Sequence, residues 1–289
     1  MSIRSTSEKI WDVFIYVFLL GVMLICIVPF LNVVAKSFSS EAHVLAGDVF
    51  LWPKDFTLAA YEIVIGSGRF WTSFGNTVFI TAVGTLLNTL LTIFAGYALS
   101  RKHLLGSGFF VFLFIFTMLF SGGMIPTYLV VKEAGLLNTL WAVIIPGLVA
   151  PFNLIIMRLY FYTIPDSLEE SAKMDGAANI RILFSIMIPL AMPAIATIGL
   201  FYAVEYWNGY FDALIYINNR DLHPLQVYLR EVIINAVDAD LNNMERMMNV
   251  AQESVRGATV VAATLPILIV YPFLQKYFVK GVTLGAVKE

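Results

Sequence analysis

Long apolar stretches separated by short polar segments dominate the chain. Six of them, at roughly 11–35, 72–99, 107–131, 137–160, 182–206 and 258–279, are each long enough to cross a bilayer as a helix, which takes about 20 mostly apolar residues. Irregular backbone finds no hydrogen-bond partner in lipid, so each stretch is expected to be helical. Pro29, Pro126, Pro146, Pro151, Pro189, Pro193 and Pro266 fall within these stretches, and neighbouring helices can absorb the kinks they impose. The longest segments between spans are about 36–71 and 207–257, and a shorter polar stretch covers 164–180. The expected fold is therefore all-α, a polytopic membrane bundle of six transmembrane helices forming a single domain over 1–289. No internal repeat or low-complexity tract is visible.

Composition supports a lipid environment. Hydrophobic residues make up 59% of the chain and charged residues 13%, about half the charge of a soluble domain. The net charge of -2 leaves no nucleic-acid footprint. Cys26 is the only cysteine, which excludes an internal disulfide framework or a thiolate metal cluster. The first apolar run, Trp11 to Val34, is too long for a secretory signal and lacks a small-residue cleavage site, so it reads as a retained helix. Lys and Arg divide unequally between the two sides. Arg4, Lys9, Arg101, Lys102, Arg158, Lys173, Arg181, Lys276, Lys280 and Lys288 form the larger set, in the shorter segments. By the positive-inside rule that side is cytoplasmic, with both termini inside and the outer loop 207–257 outside.

Polar residues within spans are costly and often functional. Asn76 and Asn88 in the second span, Asn153 in the fourth and Glu205 near the end of the fifth are substrate-pathway candidates. The preferred reading of each Asn is an interhelical hydrogen bond, and that of Glu205 a residue at the outer interface. The run Tyr202, Tyr206, Trp207, Asn208, Tyr210 suits a sugar, since flat rings stack on pyranose faces and amides bond hydroxyls. A membrane-interface aromatic belt explains it as well. Gly122-Gly123 in the third span suits close helix packing or a local break, packing being the preferred reading. The stretch Asn218, Asn219, Arg220, Asp221, Leu222, His223, Pro224 carries turn chemistry, and 226–255 reads as helical. His43, His103 and His223 have no carboxylate or Cys at ligand spacing, so no metal site is expected. No Gly-x-x-x-x-Gly-Lys-Ser/Thr loop for ATP is present.

In the segment 164–180, Asp166 or Ser167 can cap a helix with Glu169 or Glu170 three residues on. Asp175-Gly176 can end that helix in a left-handed turn, and small residues Ser171, Ala172, Ala177 and Ala178 allow close approach. Glu170-Ser171-Ala172-x-x-Asp175-Gly176-Ala177, followed by Ile188-Pro189-Leu190 and Pro193, resembles the Glu-Ala-Ala loop of bacterial ABC importer permeases. Ser171 departs from the family's first Ala, a small-for-small change. Tyr97-Ala98-Leu99-Ser100-Arg101 resembles the family's end of the second span, and Ser121-Gly122-Gly123-Met124-Ile125-Pro126 and Gln275-Lys276-Tyr277-Phe278-Val279-Lys280-Gly281 are similar to its oligosaccharide branch, on the side of the six-span permease of maltose-type importers.

The resemblance implies a multi-pass bacterial inner-membrane subunit that is not itself an enzyme. Its partners would be a second permease, two ATPase subunits carrying ATP and Mg, an extracytoplasmic solute-binding protein and an oligosaccharide, with uronate oligomers as one class. Glu170, Ser171, Ala172, Asp175, Gly176 and Ala177 would form a cytoplasmic coupling helix and turn seated on the ATPase. Asn218, Asn219, Arg220, Asp221 and His223 would reach toward the docked binding protein. The other reading is a secondary transporter driven by an ion gradient, which usually needs intramembrane ionisable residues and paired repeats. Here only Glu205 is offered.

Overall fold

The computed structural model describes residues 6–101, 103–240 and 253–269. Their regular structure is all helical, with no strand among the described residues. In chain order the helices are α1 (Thr6–Ser37), α2 (Glu41–Leu45), α3 (Ala59–Gly66), α4 (Gly68–Ser100), α5 (Ser107–Leu119), α6 (Met124–Glu133) and α7 (Trp141–Ile144). They continue as α8 (Pro151–Thr163), α9 (Asp166–Met174), α10 (Asn179–Ile182), α11 (Ile188–Asn208), α12 (Phe211–Tyr216) and α13 (Leu225–Asp240). A final helix, α14, covers 253–269.

Three helical stretches, Ile10–Ser37, Gly68–Ser100 and Asn179–Asn208, are long and apolar enough to cross a membrane. The third runs through α10, a π-helical turn at Leu183–Met187 and α11. Two bent pairs, α5 with α6 and the α7 region with α8, bring the number among the described residues to five. The expected sixth span, 258–279, runs past the described residues, as does the motif at 275–281. Apolar side chains cover the outside of these helices: α5 has no buried residue at all, and Trp11, Phe14, Phe18 and Ile25 of α1 are exposed. In a bilayer that surface meets lipid or another subunit.

The third span departs from its expectation. It is not one helix over 107–131, because the chain turns by 118° between α5 and α6. Gly123 sits at φ +90°, where a side chain is disfavoured, and no atom lies within 4 Å of where a Cβ on Gly122 would stand. The glycine pair therefore makes a break, and not the close packing expected of it. The fourth span is also interrupted, with a 48° bend between Trp141–Gly147 and α8. Pro146 and Pro151 supply no backbone N–H there.

The described residues fall into two compact units, one within 1–68 and 229–265 and the other within 69–228 and 266–269. In the first, Asn32 Nδ2 donates to the carbonyls of Val49 and Phe50 at 3.2 and 2.7 Å, and buried Ser37 meets the Tyr61 hydroxyl at 2.8 Å. Gly257 approaches the Val33 carbonyl so closely that a Cβ would stand 3.1 Å from it. The second unit is organised around Ile93, Tyr97, Met157, Phe161, Ile182, Leu183, Met187, Ala191, Ile198 and Tyr202, contributed by α4, α8 and the 179–208 stretch. Val131, Ala142, Ala213, Tyr216, Ile217 and Val227 form a smaller core.

Candidate functional site

The break in the fourth span exposes backbone polar groups that lipid cannot satisfy. Side chains of α4 and α11 take them up. Asn88 Nδ2 donates to the Gly147 carbonyl at 2.9 Å. The Tyr206 hydroxyl lies 3.2 Å from Asn88 Oδ1 and 3.3 Å from the Ile144 carbonyl, and its single proton serves one at a time. The Ala150 N–H donates to the Tyr202 hydroxyl at 3.1 Å, and that oxygen meets Thr92 Oγ1 at 2.8 Å. Tyr202 and Tyr206, one helical turn apart, thus stitch the broken span. Room for Tyr206 comes from Gly84, since a Cβ there would stand 2.5 Å from its ring.

Beside this network lies a cavity of about 300 Å³ lined by Asn88, Val143, Gly147, Glu205, Tyr206, Asn208, Gly209, Tyr210, Phe211 and Asp212. Its size is at the lower end for ligand pockets. It unites five of the residues singled out in the sequence: Asn88, Glu205, Tyr206, Asn208 and Tyr210. Besides Tyr202, which braces the broken span, three others fall elsewhere. Asn153 is buried in α8. Trp207 turns edge-on toward Phe74, with centroids 6.2 Å apart. Asn76 Nδ2 donates to the carbonyls of Asp221 and His223 at 2.8 and 3.2 Å, so it holds a loop. Asp212 escaped the sequence reading; its only signal is a carboxylate just past the aromatic run. Asp212 touches solvent, but surrounding protein strips part of its hydration and holds its carboxyl above the ordinary carboxylate value.

The loop 217–225 is a pinned turn. Asn138, at φ +59°, accepts the N–H of Asn218 at 2.6 Å and of Asn219 at 3.3 Å through Oδ1, and its own N–H reaches the Tyr216 carbonyl. Asn219 Oδ1 caps the Asp221 N–H. His223 faces inward, buried, with Nε2 3.0 Å from the Ile217 carbonyl, while Asn218, Asn219, Arg220 and Asp221 are exposed. Asn138→Ala should lower stability by about 2 kcal/mol, from two lost hydrogen bonds and from loss of the side chain that makes asparagine tolerant of the left-handed conformation. Asn138→Gly, which relieves only the backbone, should fall between. Thermal unfolding of the purified protein checks this, and an unchanged midpoint in both variants would show that the loop is held unaided by Asn76 and by Thr77, whose Oγ1 accepts the Leu225 N–H at 2.7 Å.

The 164–180 segment forms the second candidate site. Pro165 precedes α9 and no side chain caps it, so the expected capping box is not made. Asp166 and Glu169 still place negative charge in the first turn, where the helix dipole favours it. The end follows expectation: Gly176 takes φ +77°, the Gly176 N–H bonds the Lys173 carbonyl at 3.0 Å and the Ala177 N–H bonds Ala172 at 2.9 Å, a Schellman closure. Ala172 and Ala177 are half-buried against the main core. The outward face presents Glu170, Ser171, Asp175 and Gly176. It also carries Met174, 88% exposed, and Ile180, 72% exposed, apolar groups the sequence reading passed over. Among the described residues no cluster of three His, Cys, Asp or Glu side chains is placed to hold a metal.

Long lipid-length helices, a polar cavity beside a broken span and a short exposed helix between spans define a membrane permease. A family model described as binding-protein-dependent transport system inner membrane component matches residues 88–284, and the chain belongs to that family. It is 45% identical to the polygalacturonan/rhamnogalacturonan transport system permease protein of Bacillus subtilis (strain 168), over 98% of this chain and 99% of that one. It is 48% identical to protein LplC of the same organism, over 99% and 97%. Among solved structures it matches a bacterial ABC transporter involved in the import of the acidic polysaccharide alginate, at a TM-score of 0.88 and 39% identity, covering 96% of this chain and 100% of that one. The chain is an ABC importer permease.

Proposed function

We propose that this chain is one of two permease subunits of an importer for acidic oligosaccharides, with uronate oligomers as the substrate class. The observation that carries the substrate is that a 45%-identical relative and a matching structure at a TM-score of 0.88 both bear the names of acidic polysaccharides. A solute-binding protein delivers the sugar, and two ATPase subunits holding ATP and Mg supply the energy. The α9 end carries Arg101, Arg158, Lys173 and Arg181, which supports a cytoplasmic placement by the positive-inside rule. The cavity and the 217–225 loop then lie toward the outside, and both termini lie inside.

In this reading Glu170, Asp175, Met174 and Ile180 dock on the ATPase, and Gly176 shapes the turn. Tyr206 and Tyr210 offer ring and hydroxyl contacts to a passing sugar unit, and Asn88 holds Tyr206 in place. Glu205 and Asp212 would repel a uronate carboxylate, which keeps the contact brief and directs it to the hydroxyl face. Uptake of labelled oligogalacturonate by proteoliposomes bearing the complete transporter and its binding protein tests the assignment. ATP-dependent accumulation is expected. Accumulation of neutral oligosaccharides with none of the uronate would overturn the substrate class.

A further inference from the structure

Glu169, next in sequence to the exposed Glu170, points the other way and is only 7% exposed. Its Oε1 meets Lys173 Nζ at 2.8 Å, one turn along α9, and its Oε2 pairs with Arg101 Nη1 just past the end of α4. Arg101 is itself held. Its guanidinium lies over the Tyr97 ring, 4.5 Å from the centroid, and its Nε donates to Ser100 Oγ at 3.2 Å. Tyr97 in turn meets Phe161 of α8 edge-on at 5.9 Å. Burial draws the Arg101 guanidinium below the ordinary arginine value, with Tyr97 and Asp166 acting in the opposite sense.

A buried ion pair contributes little net stability, because desolvation offsets much of its attraction, yet losing one partner is costly. Such a pair serves better to fix one element against another. Here it fixes α9 to α4, a helix to which α9 is not joined in sequence. The same α4 carries Asn88 at the cavity, about 18 Å up the helix at 1.5 Å per residue. We infer that Arg101 and Glu169 are positioning residues: they form the joint through which movement of α9 drives α4, and so the cavity wall, in addition to the direct chain connection into α11. This rests on the reading of α9 as the ATPase-docking helix.

The test uses the complete reconstituted transporter in a Lys173→Gln background, which keeps a swapped arginine from facing a lysine. Sugar taken up per ATP hydrolysed is the readout, with co-purification of the ATPase subunits reporting assembly. Glu169→Gln and Arg101→Glu should each lower that ratio about tenfold. The swap Glu169→Arg with Arg101→Glu should recover to within about threefold of the background. An unchanged ratio in both single variants overturns the joint, as does a swap no better than its worse single. If Glu169→Gln fails to assemble, Arg101→Lys decides. It keeps the charge but loses the planar stack, so a severalfold lower ratio supports the joint and a normal one overturns it. The underlying reading fails separately, if Glu170→Lys and Gly176→Asp both leave ATPase association intact.

Discussion

Gly84→Leu should abolish transport and sharply reduce the yield of folded protein. A Cβ at that position would stand 2.5 Å from the Tyr206 ring, and the next two ring atoms would lie at 2.7 and 2.9 Å. The ring cannot yield without cost, because its hydroxyl is engaged with Asn88 and the Ile144 carbonyl. Overpacking by one methyl costs about 1–3 kcal/mol, and a leucine adds three further carbons. Displacing Tyr206 also unseats a partner of the broken fourth span, where an unsatisfied carbonyl in lipid costs several kcal/mol more. Gly84→Ala should lower the thermal midpoint measurably. Adding Tyr206→Ala should return part of that loss, because the ring causes it. Size-exclusion profiles and thermal unfolding decide the matter: a monodisperse Gly84→Leu protein with an unchanged midpoint would refute the packing described here.

Glu170→Lys and Gly176→Asp should each detach the permease from its ATPase while leaving it folded in the membrane. Glu170 is exposed on the outward face of α9, so reversing its charge would remove the proposed docking contact without disturbing the core. A charge-assisted contact contributes about 1.5–3 kcal/mol, which is about tenfold or more in association. Gly176 has open space around it, with no atom within 4 Å of where a Cβ would stand. The cost of Asp there is conformational, about 1–2 kcal/mol for a left-handed residue with a side chain, and it falls on the turn that ends α9. Co-purification of the ATPase subunits is the measurement. Wild-type recovery in both variants would remove the outward face of α9 from the partnership.

The spans were legible in the sequence because lipid demands length and apolarity, both local properties. The breaks were less so. Gly122-Gly123 reads equally as a packing surface or a kink, and only the absence of any neighbour at Gly122 decides between them. The aromatic run ending at Tyr210 pointed to the cavity through composition. The partner of Tyr202 is Thr92, 110 residues away, and no local pattern reports it. At α9 the family motif drew attention to Glu170, while helical spacing held the remaining signal. Glu169 shares a face with Ala172, three residues on, and both turn inward, with the exposed Lys173 at the edge of that face. Arg101 carried weight in the sequence as a topological charge and as the end of the Tyr97–Arg101 motif. Its pairing with a buried carboxylate needed the fold. His223, grouped by its neighbours with an exposed loop, is buried because Ile217 and Asn76 draw the turn inward.

The most direct single measurement is ATP hydrolysis and oligogalacturonate uptake in the same proteoliposomes, with components added one at a time. This chain alone should hydrolyse no ATP, and the full set of two permeases, ATPase and loaded binding protein should both hydrolyse ATP and accumulate sugar. Uptake by this chain alone under an ion gradient, with no ATPase present, would contradict it.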